Sequence, residues 1–152
     1  MEVEEIEVGM GELKKAFYPN FLCSGGLGPC IAVAVYHPAT RSGYMLHEHH
    51  ADIEAKIKEI KRDYRDLSRV RVYVTGNSLF SDFDAEQKAF ERSFRADVEK
   101  IISQYFNQRQ TKIQWLADNH CGELYLYTSS GKFIVDSENL VELCDDSLSG
   151  EY

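Results

Sequence analysis

The sequence predicts an α+β domain made of layered, β-sandwich-like sheets with two main amphipathic helices packed alongside. Short alternating or β-branched runs lie near both ends of the chain, and two segments between them carry apolar residues at helical spacing. The order of these elements is not a regular βαβ alternation. With 152 residues, the chain is expected to form a single domain over residues 1–143, followed by an acidic tail over residues 144–152 that frays.

The first third of the chain predicts four strands. Ile6, Val8 and Met10 alternate with polar or small residues and indicate an opening strand with a bulge at the nearby glycines. Residues 21–23 form a second, short strand. Residues 31–36 are mostly β-branched or small and are predicted to form a third strand. Residues 43–47 are predicted to pair with it as the second strand of a hairpin.

The middle of the chain predicts two helices with a strand between them. The first helix begins near residue 51 and ends near Ser68, and residues 70–75 then alternate as a strand that stops at Gly76. Asp84 and Gln87 have the spacing of a capping box at the start of the second helix. The predicted apolar faces consist of Ile53, Ile57, Ile60 and Tyr64 in the first helix and Phe90, Phe94, Val98, Ile101 and Tyr105 in the second. Three further strands are predicted at residues 113–117, 124–128 and 133–135.

The composition excludes several classes of function. A net charge of −8 disfavours nucleic acid as a partner, because phosphate binding depends on clustered lysine and arginine. It also disfavours anionic lipid. The sequence has no apolar run of transmembrane length and no secretory leader, so membrane insertion is not expected and the predicted location is cytoplasmic.

The four cysteines show no CxxC spacing, which argues against a redox motif or a zinc ribbon. In a reducing compartment they are expected to be free thiols. Cys23 and Cys144 in particular are interpreted as small buried hydrophobic residues. The four cysteines are Cys23, Cys30, Cys121 and Cys144.

Cys30 differs from the other cysteines because it ends a glycine-rich turn and begins the predicted hairpin. In a hairpin, the numbers of each pair of facing residues add to the same total. If the loop is centred on Pro38 and Ala39, that total is 77, and Cys30 and His47 also add to 77. Directly opposed residues project to the same face of an antiparallel pair. A histidine beside a cysteine can take the thiol proton and form a thiolate–imidazolium pair, which is a nucleophile at neutral pH.

The turn before Cys30 supplies candidates for binding the oxygen of a substrate. Gly25, Gly26 and Gly28 permit unusual backbone conformations and leave room beside the sulfur. Their N–H groups and that of Cys30 could form an oxyanion hole, whereas Pro29 has no N–H. An alternative remains open in which the segment is a tight turn and Cys30 a buried strand residue.

These residues resemble the chemoreceptor glutamine deamidase family, CheD, which has a T-x-G-L-G-S-C segment, a strand, a D-P turn and a spaced histidine. Residues 24–30 match the first segment, and the interval to His47 is the same. The resemblance implies that Cys30 is the nucleophile, that His47 is the general base, and that Ser24 replaces a threonine that orients the histidine. It further implies a fold shared with the catalytic domain of cytotoxic necrotizing factor toxins and the hydrolysis of protein glutamine side chains.

The same resemblance implies a protein substrate of the methyl-accepting chemoreceptor type and a CheC-like phosphatase as a partner. No cofactor is implied and no metal ligand is assigned. The chain departs from the family where Pro29 replaces a serine, His37 replaces an aspartate, and Glu48 and its neighbours replace a Met-Leu-Pro run. These differences concern the rim of the site and therefore the choice of substrate.

Two other functions stay open at this point. Imidazole and thiolate are ligands for zinc and copper, and the candidate set combines His47, His49 and His50 either with Cys30 or with His120 and Cys121. A non-catalytic interaction module on the same fold is the other alternative, motivated by the substitutions at Ser24 and Pro29.

Overall fold

The structure is a computed structural model that describes residues 2–140. In this part of the chain, a four-stranded and a five-stranded sheet lie face to face, and two α-helices cover the outer face of the five-stranded sheet. The predicted α+β class with sandwich-like sheets and two main helices is confirmed. The predicted tail, residues 144–152, and Cys144 lie outside the described residues.

The strands and helices follow one another in a simple order. The strands are β1 (Glu5–Glu7), β2 (Leu13–Phe17), β3 (Phe21–Ser24), β4 (Ile31–His37), β5 (Ser42–Glu48), β6 (Arg71–Gly76), β7 (Thr111–Trp115), β8 (His120–Tyr127) and β9 (Lys132–Asn139). The helices are α1 (Ile53–Tyr64), between β5 and β6, and α2 (Ala85–Tyr105), between β6 and β7. Neither helix is long and apolar enough to cross a lipid bilayer.

The sheets have the strand orders β1-β3-β8-β9 and β2-β5-β4-β6-β7. The central strand β4 is buried on both faces, which explains its uninterrupted run of apolar residues. Ile31, Val33 and Val35 face the helices, whereas Ala32 and Ala34 face the other sheet. The small alanine side chains let the two sheets approach each other closely.

The hairpin of β4 and β5 has a longer loop than the two-residue centre predicted from the sequence. Ala32 faces His47 and His37 faces Ser42, so facing residues add to 79 instead of 77. The reason is a loop of residues 38–41, closed by a hydrogen bond from Arg41 N–H to the Pro38 carbonyl (3.2 Å). A shift of two residues keeps every side chain on its predicted face, because the side-chain period of a strand is two.

Several strand boundaries and one core residue were predicted wrongly, whereas the N-terminal cap of α2 was predicted correctly. The opening strand ends at Glu7, and the edge strand β2, with two lysines among its five residues, gave no clear alternation. His120 and Cys121 belong to β8, although the predicted strand began only at residue 124. On α2, Asp84 caps the helix as predicted (Asp84 Oδ1 to Gln87 N, 2.7 Å). Phe90, predicted to be in the core, is 56% exposed.

The close approach of β6 to the Cys30 turn requires a glycine at position 76. Gly76 has a φ of +112°, and a Cβ there would lie 2.8 Å from the Cα of Ile31 and nearer still to the Cys30 carbonyl oxygen. We expect Gly76→Ala to lower the free energy of unfolding by about 3 kcal/mol, since backbone strain and a clash with backbone combine. Urea unfolding would measure this loss.

Gly25→Ala is the matched control for Gly76→Ala. A Cβ at Gly25 would meet only flexible side-chain atoms of Glu123, at 3.4 Å. We expect it to change the free energy of unfolding by no more than about 1 kcal/mol. Equal stability of the two variants would contradict the argument from close approach.

Candidate active site

Cys30 and His47 lie at one end of the five-stranded sheet, on the face that packs against the four-stranded sheet. Cys30 immediately precedes β4 and joins the same core cluster as Ala32, and Ala32 is the residue that faces His47 across the ladder. Cys30 and His47 are therefore diagonal neighbours rather than directly opposed ones. Such neighbours have Cβ atoms about 7–8 Å apart, a separation that a thiol and an imidazole ring can bridge.

Ser24 connects the His47 ring to the other sheet. It ends β3, is 1% exposed, and its Oγ donates a hydrogen bond to the Val8 carbonyl (2.6 Å). The Ser24 Oγ also lies 2.8 Å from His47 Nδ1. Because the single hydroxyl proton is given to Val8, Nδ1 must be the donor in this second bond.

The relay from His47 to Ser24 to Val8 fixes the tautomer of the histidine. With the proton on Nδ1, Nε2 carries a lone pair and is an acceptor. That atom is buried and has no hydrogen-bond partner among the described residues. The arrangement therefore presents a base of the kind needed to take a thiol proton.

The resting thiol has a different partner. Cys30 Sγ lies 3.8 Å from Met10 Sδ, its hydrogen-bond contact within residues 2–140. Met10 is 66% exposed, and the loop that carries it is held over β5 by a bond from Gly11 N–H to the His47 carbonyl (2.8 Å). Met10 thus covers the sulfur on the side of the solvent.

The pKa shifts of Cys30 and His47 both disfavour the thiolate–imidazolium pair that was predicted from the sequence. Burial, reinforced by the negative charge of Glu91, raises the pKa of the Cys30 thiol. Burial lowers the pKa of His47, and the Val8 carbonyl only partly counteracts it. Both groups are consequently neutral in the resting site, so the chemistry available to them is proton transfer during attack, not a preformed ion pair.

This charge state predicts how the alkylation of Cys30 depends on pH. The iodoacetamide rate is expected to rise about tenfold per pH unit between about pH 6 and pH 8, because only the thiolate reacts and its pKa is raised. Mass spectrometry of the alkylated peptides would follow each cysteine separately. A rate that is already constant over this range would instead demonstrate a preformed thiolate.

The glycine turn leaves some of its N–H groups free. Leu27 N–H donates to the Gly122 carbonyl (3.0 Å) and Gly28 N–H to the Gly26 carbonyl (3.0 Å). Within residues 2–140, the N–H groups of Gly25, Gly26 and Cys30 have no hydrogen-bond partner. The Cys30 N–H is the best placed of the candidate oxyanion donors, because it belongs to the residue that carries the sulfur.

A buried polar network that was not predicted from the sequence lies behind the turn. Asn77, fully buried, donates from its backbone N–H to the Cys30 carbonyl (2.8 Å) and from Nδ2 to the Pro29 carbonyl (3.1 Å). The same Nδ2 donates to Glu91 (2.6 Å). Arg95 Nε donates to Asn77 Oδ1 (2.8 Å). The one signal in the sequence for this network is Glu91, a carboxylate that lies next to Phe90 on the predicted apolar face of the second helix.

The structure separates the histidines that the metal hypothesis grouped together. His47 faces the space between the sheets, whereas His49 and His50 follow β5 and converge with Glu91. His120 binds Ser137 Oγ through Nδ1 (3.1 Å). Neither predicted ligand set, with Cys30 or with His120 and Cys121, forms such a group within the described residues.

Sequence comparison identifies relatives that share one name, "Probable chemoreceptor glutamine deamidase CheD". The relative from Clostridium acetobutylicum is 40% identical over 45 residues, covering 30% of this chain and 27% of that protein. The relative from Desulfitobacterium hafniense is 45% identical over 42 residues, covering 28% and 26%. These matches therefore span about a quarter of the relatives' length.

A third relative extends the similarity. The protein of the same name from Syntrophomonas wolfei is 26% identical over 110 residues, covering 61% of this chain and 68% of that protein. No protein-family model matches the sequence. Among solved structures, the hypothetical protein YfiH of Bacillus licheniformis has a TM-score of 0.42 at 11% identity, covering 62% of this chain and 46% of that one.

Proposed function

We propose, from the premise that this chain belongs to a CheD-like family, that it is a protein-glutamine deamidase in which Cys30 is the nucleophile. The relatives' shared name supports the reaction class. The observation that carries the proposal is the relay from His47 Nδ1 through Ser24 to the Val8 carbonyl, which leaves His47 Nε2 as a buried acceptor on the face that bears Cys30. Ser24 is the positioning residue.

The reaction starts when Cys30 Sγ attacks the carboxamide carbon of a glutamine side chain and its proton passes to His47 Nε2. A carbon–sulfur bond forms, and the carbonyl oxygen gains negative charge opposite the Cys30 N–H. His47 then gives the proton to the nitrogen, the carbon–nitrogen bond breaks, and ammonia leaves a thioester. Water attacks the thioester while His47 takes its proton, and release of the thiol leaves glutamate.

The substrate is proposed to be a protein of the chemoreceptor class, following the relatives' name. A CheC-like phosphatase is the proposed partner, from the resemblance alone. A glutamine side chain must displace Met10 to reach the sulfur, because the thioether is in contact with Sγ. The Met10 loop is therefore the part of the site that would contact the substrate backbone first.

The proposed function can be tested with purified chain and cytoplasmic fragments of chemoreceptors that contain glutamine. We expect the mass change of amide-to-acid conversion at defined glutamines, with one ammonia released for each conversion. Prior iodoacetamide treatment that labels Cys30 should prevent both. Fragments that bind without any mass change would support a non-catalytic module, and conversion that persists after complete alkylation of Cys30 would reject the mechanism.

A further inference from the structure

The geometry points to a divalent-metal site formed by His49, His50 and Glu91. One possible ligand atom from each of these residues lies within 4.8 Å of the other two. The site uses neither Cys30 nor His47, so the inference does not depend on the proposed deamidase activity. Its ligand would be a transition-metal dication such as Zn²⁺, for which two imidazoles and a carboxylate are an established type of donor set.

The three side chains need little movement to bind one ion. His50 Nε2 lies 3.0 Å from Glu91 Oε2 and 2.9 Å from Oε1, and the His49 and His50 rings are 3.8 Å apart at their centres. Ligand atoms around a tetrahedral zinc ion are separated by about 3.3 Å, given bonds of about 2.0 Å. Rotation of the exposed His49 ring can close the remaining gap.

Glu91 is a buried carboxylate on α2. Its side chain is 4% exposed. Asn77 Nδ2 orients it from behind (2.6 Å), and Asn77 is itself held by Arg95. Hydrogen bonds of this kind to a ligating carboxylate are typical of the outer shell of metal sites.

Aromatic rings enclose the histidines on the other side. Phe90 and Phe94 meet the His50 ring edge to face, at 4.9 Å and 4.4 Å between centres. This also accounts for Phe90, whose exposed position on α2 has no role in the core. Glu48, the other buried carboxylate near this corner, is paired with Lys56 and is therefore not available as a ligand.

Three protein ligands leave one position of a tetrahedral zinc ion open. His49 is the exposed member of the group, so solvent would reach the open position on its side. A water molecule or a side chain of a bound partner can occupy it. Through the hydrogen bonds of Asn77, the proposed site is connected to the carbonyls of Pro29 and Cys30 in the candidate nucleophile turn.

Titration of the whole chain with Zn²⁺ alone, followed by calorimetry, would test this site. We expect one equivalent to bind to the native sequence, and both Glu91→Gln and His49→Ala to weaken affinity by more than about tenfold. Co²⁺ should give the absorption of a tetrahedral site without a thiolate charge-transfer band. His120→Ala and Cys30→Ala are the controls and should leave Zn²⁺ affinity within about twofold.

The outcomes are separable. Absence of a saturable equivalent in the native chain, binding that survives both ligand substitutions, or binding that is lost in Cys30→Ala would each overturn the site. His49→Ala decides the matter if Glu91→Gln fails to fold, because His49 is exposed and its removal leaves the buried network intact. Circular dichroism without metal would verify that each variant is folded.

Discussion

Replacing Cys30 with alanine is expected to abolish glutamine deamidation while leaving the fold in place. The sulfur forms the covalent bond to substrate in the proposed reaction, so no other atom of the side chain can substitute for it. Cys30 is 7% exposed at the edge of the core, and loss of one sulfur atom there should cost about 1 kcal/mol. Mass spectrometry of receptor fragments would measure conversion, and thermal unfolding would measure stability.

Cys23→Ala is the matched control. Cys23 is 8% exposed, precedes Ser24 in β3, and is as buried as Cys30. Burial and the neighbouring Glu5 carboxylate raise the pKa of its thiol to about 12, so it contributes little thiolate at neutral pH. We expect this variant to retain deamidation. If Cys23→Ala lost activity while Cys30→Ala retained it, the proposal that Cys30 is the nucleophile would be wrong.

The sequence was sufficient to predict the layers, because burial leaves a clear pattern in this chain. A strand covered on both faces has to be apolar throughout, as β4 is, and a helix on the surface of a sheet has to be amphipathic, as α1 is. The shared face of Cys30 and His47 followed from the same periodicity, because it depends only on whether residue numbers are odd or even within a regular pair.

The geometry of the candidate site could not be predicted in the same way, because it depends on parts of the chain with no period. The length of the loop at residues 38–41 changed the partner of His47 from Cys30 to Ala32. The hydrogen bond from Ser24 to the Val8 carbonyl joins the end of β3 to the irregular segment that follows β1. Hydrophobic spacing alone predicts that Phe90 lies in the core. In the structure the buried residue is Glu91, whose carboxylate is hydrogen-bonded to His50 and Asn77.

The charge state of the site also could not be predicted from the sequence. A cysteine near a histidine predicts an ion pair only when water or further hydrogen bonds stabilise both charges. Here both groups are buried, and the negative charge of the Glu91 carboxylate further disfavours a Cys30 thiolate. The neutral pair makes the tautomer of His47 decisive, because only a ring with a free Nε2 can accept the proton from sulfur.

Ser24→Ala is expected to reduce kcat for deamidation by roughly a hundredfold, within the range that general-base catalysis contributes. The substitution removes the acceptor of the His47 Nδ1 proton, which fixes both the tautomer and the ring orientation. Because Ser24 touches the ring and not the substrate, KM should change little. The pH dependence of kcat should also change, because His47 would lose its hydrogen bond to the Ser24 hydroxyl.

Ser24→Thr separates this positioning role from simple destabilisation. Threonine keeps the hydroxyl that accepts from His47 and donates to Val8, so it should restore most of kcat even if an added methyl group in this buried position lowers stability by about 1 kcal/mol. Steady-state kinetics and thermal unfolding of both variants would be measured together. A Ser24→Ala enzyme with an unchanged kcat, or a Ser24→Thr enzyme as slow as the alanine variant, would show that the relay from His47 to Val8 does not serve the reaction.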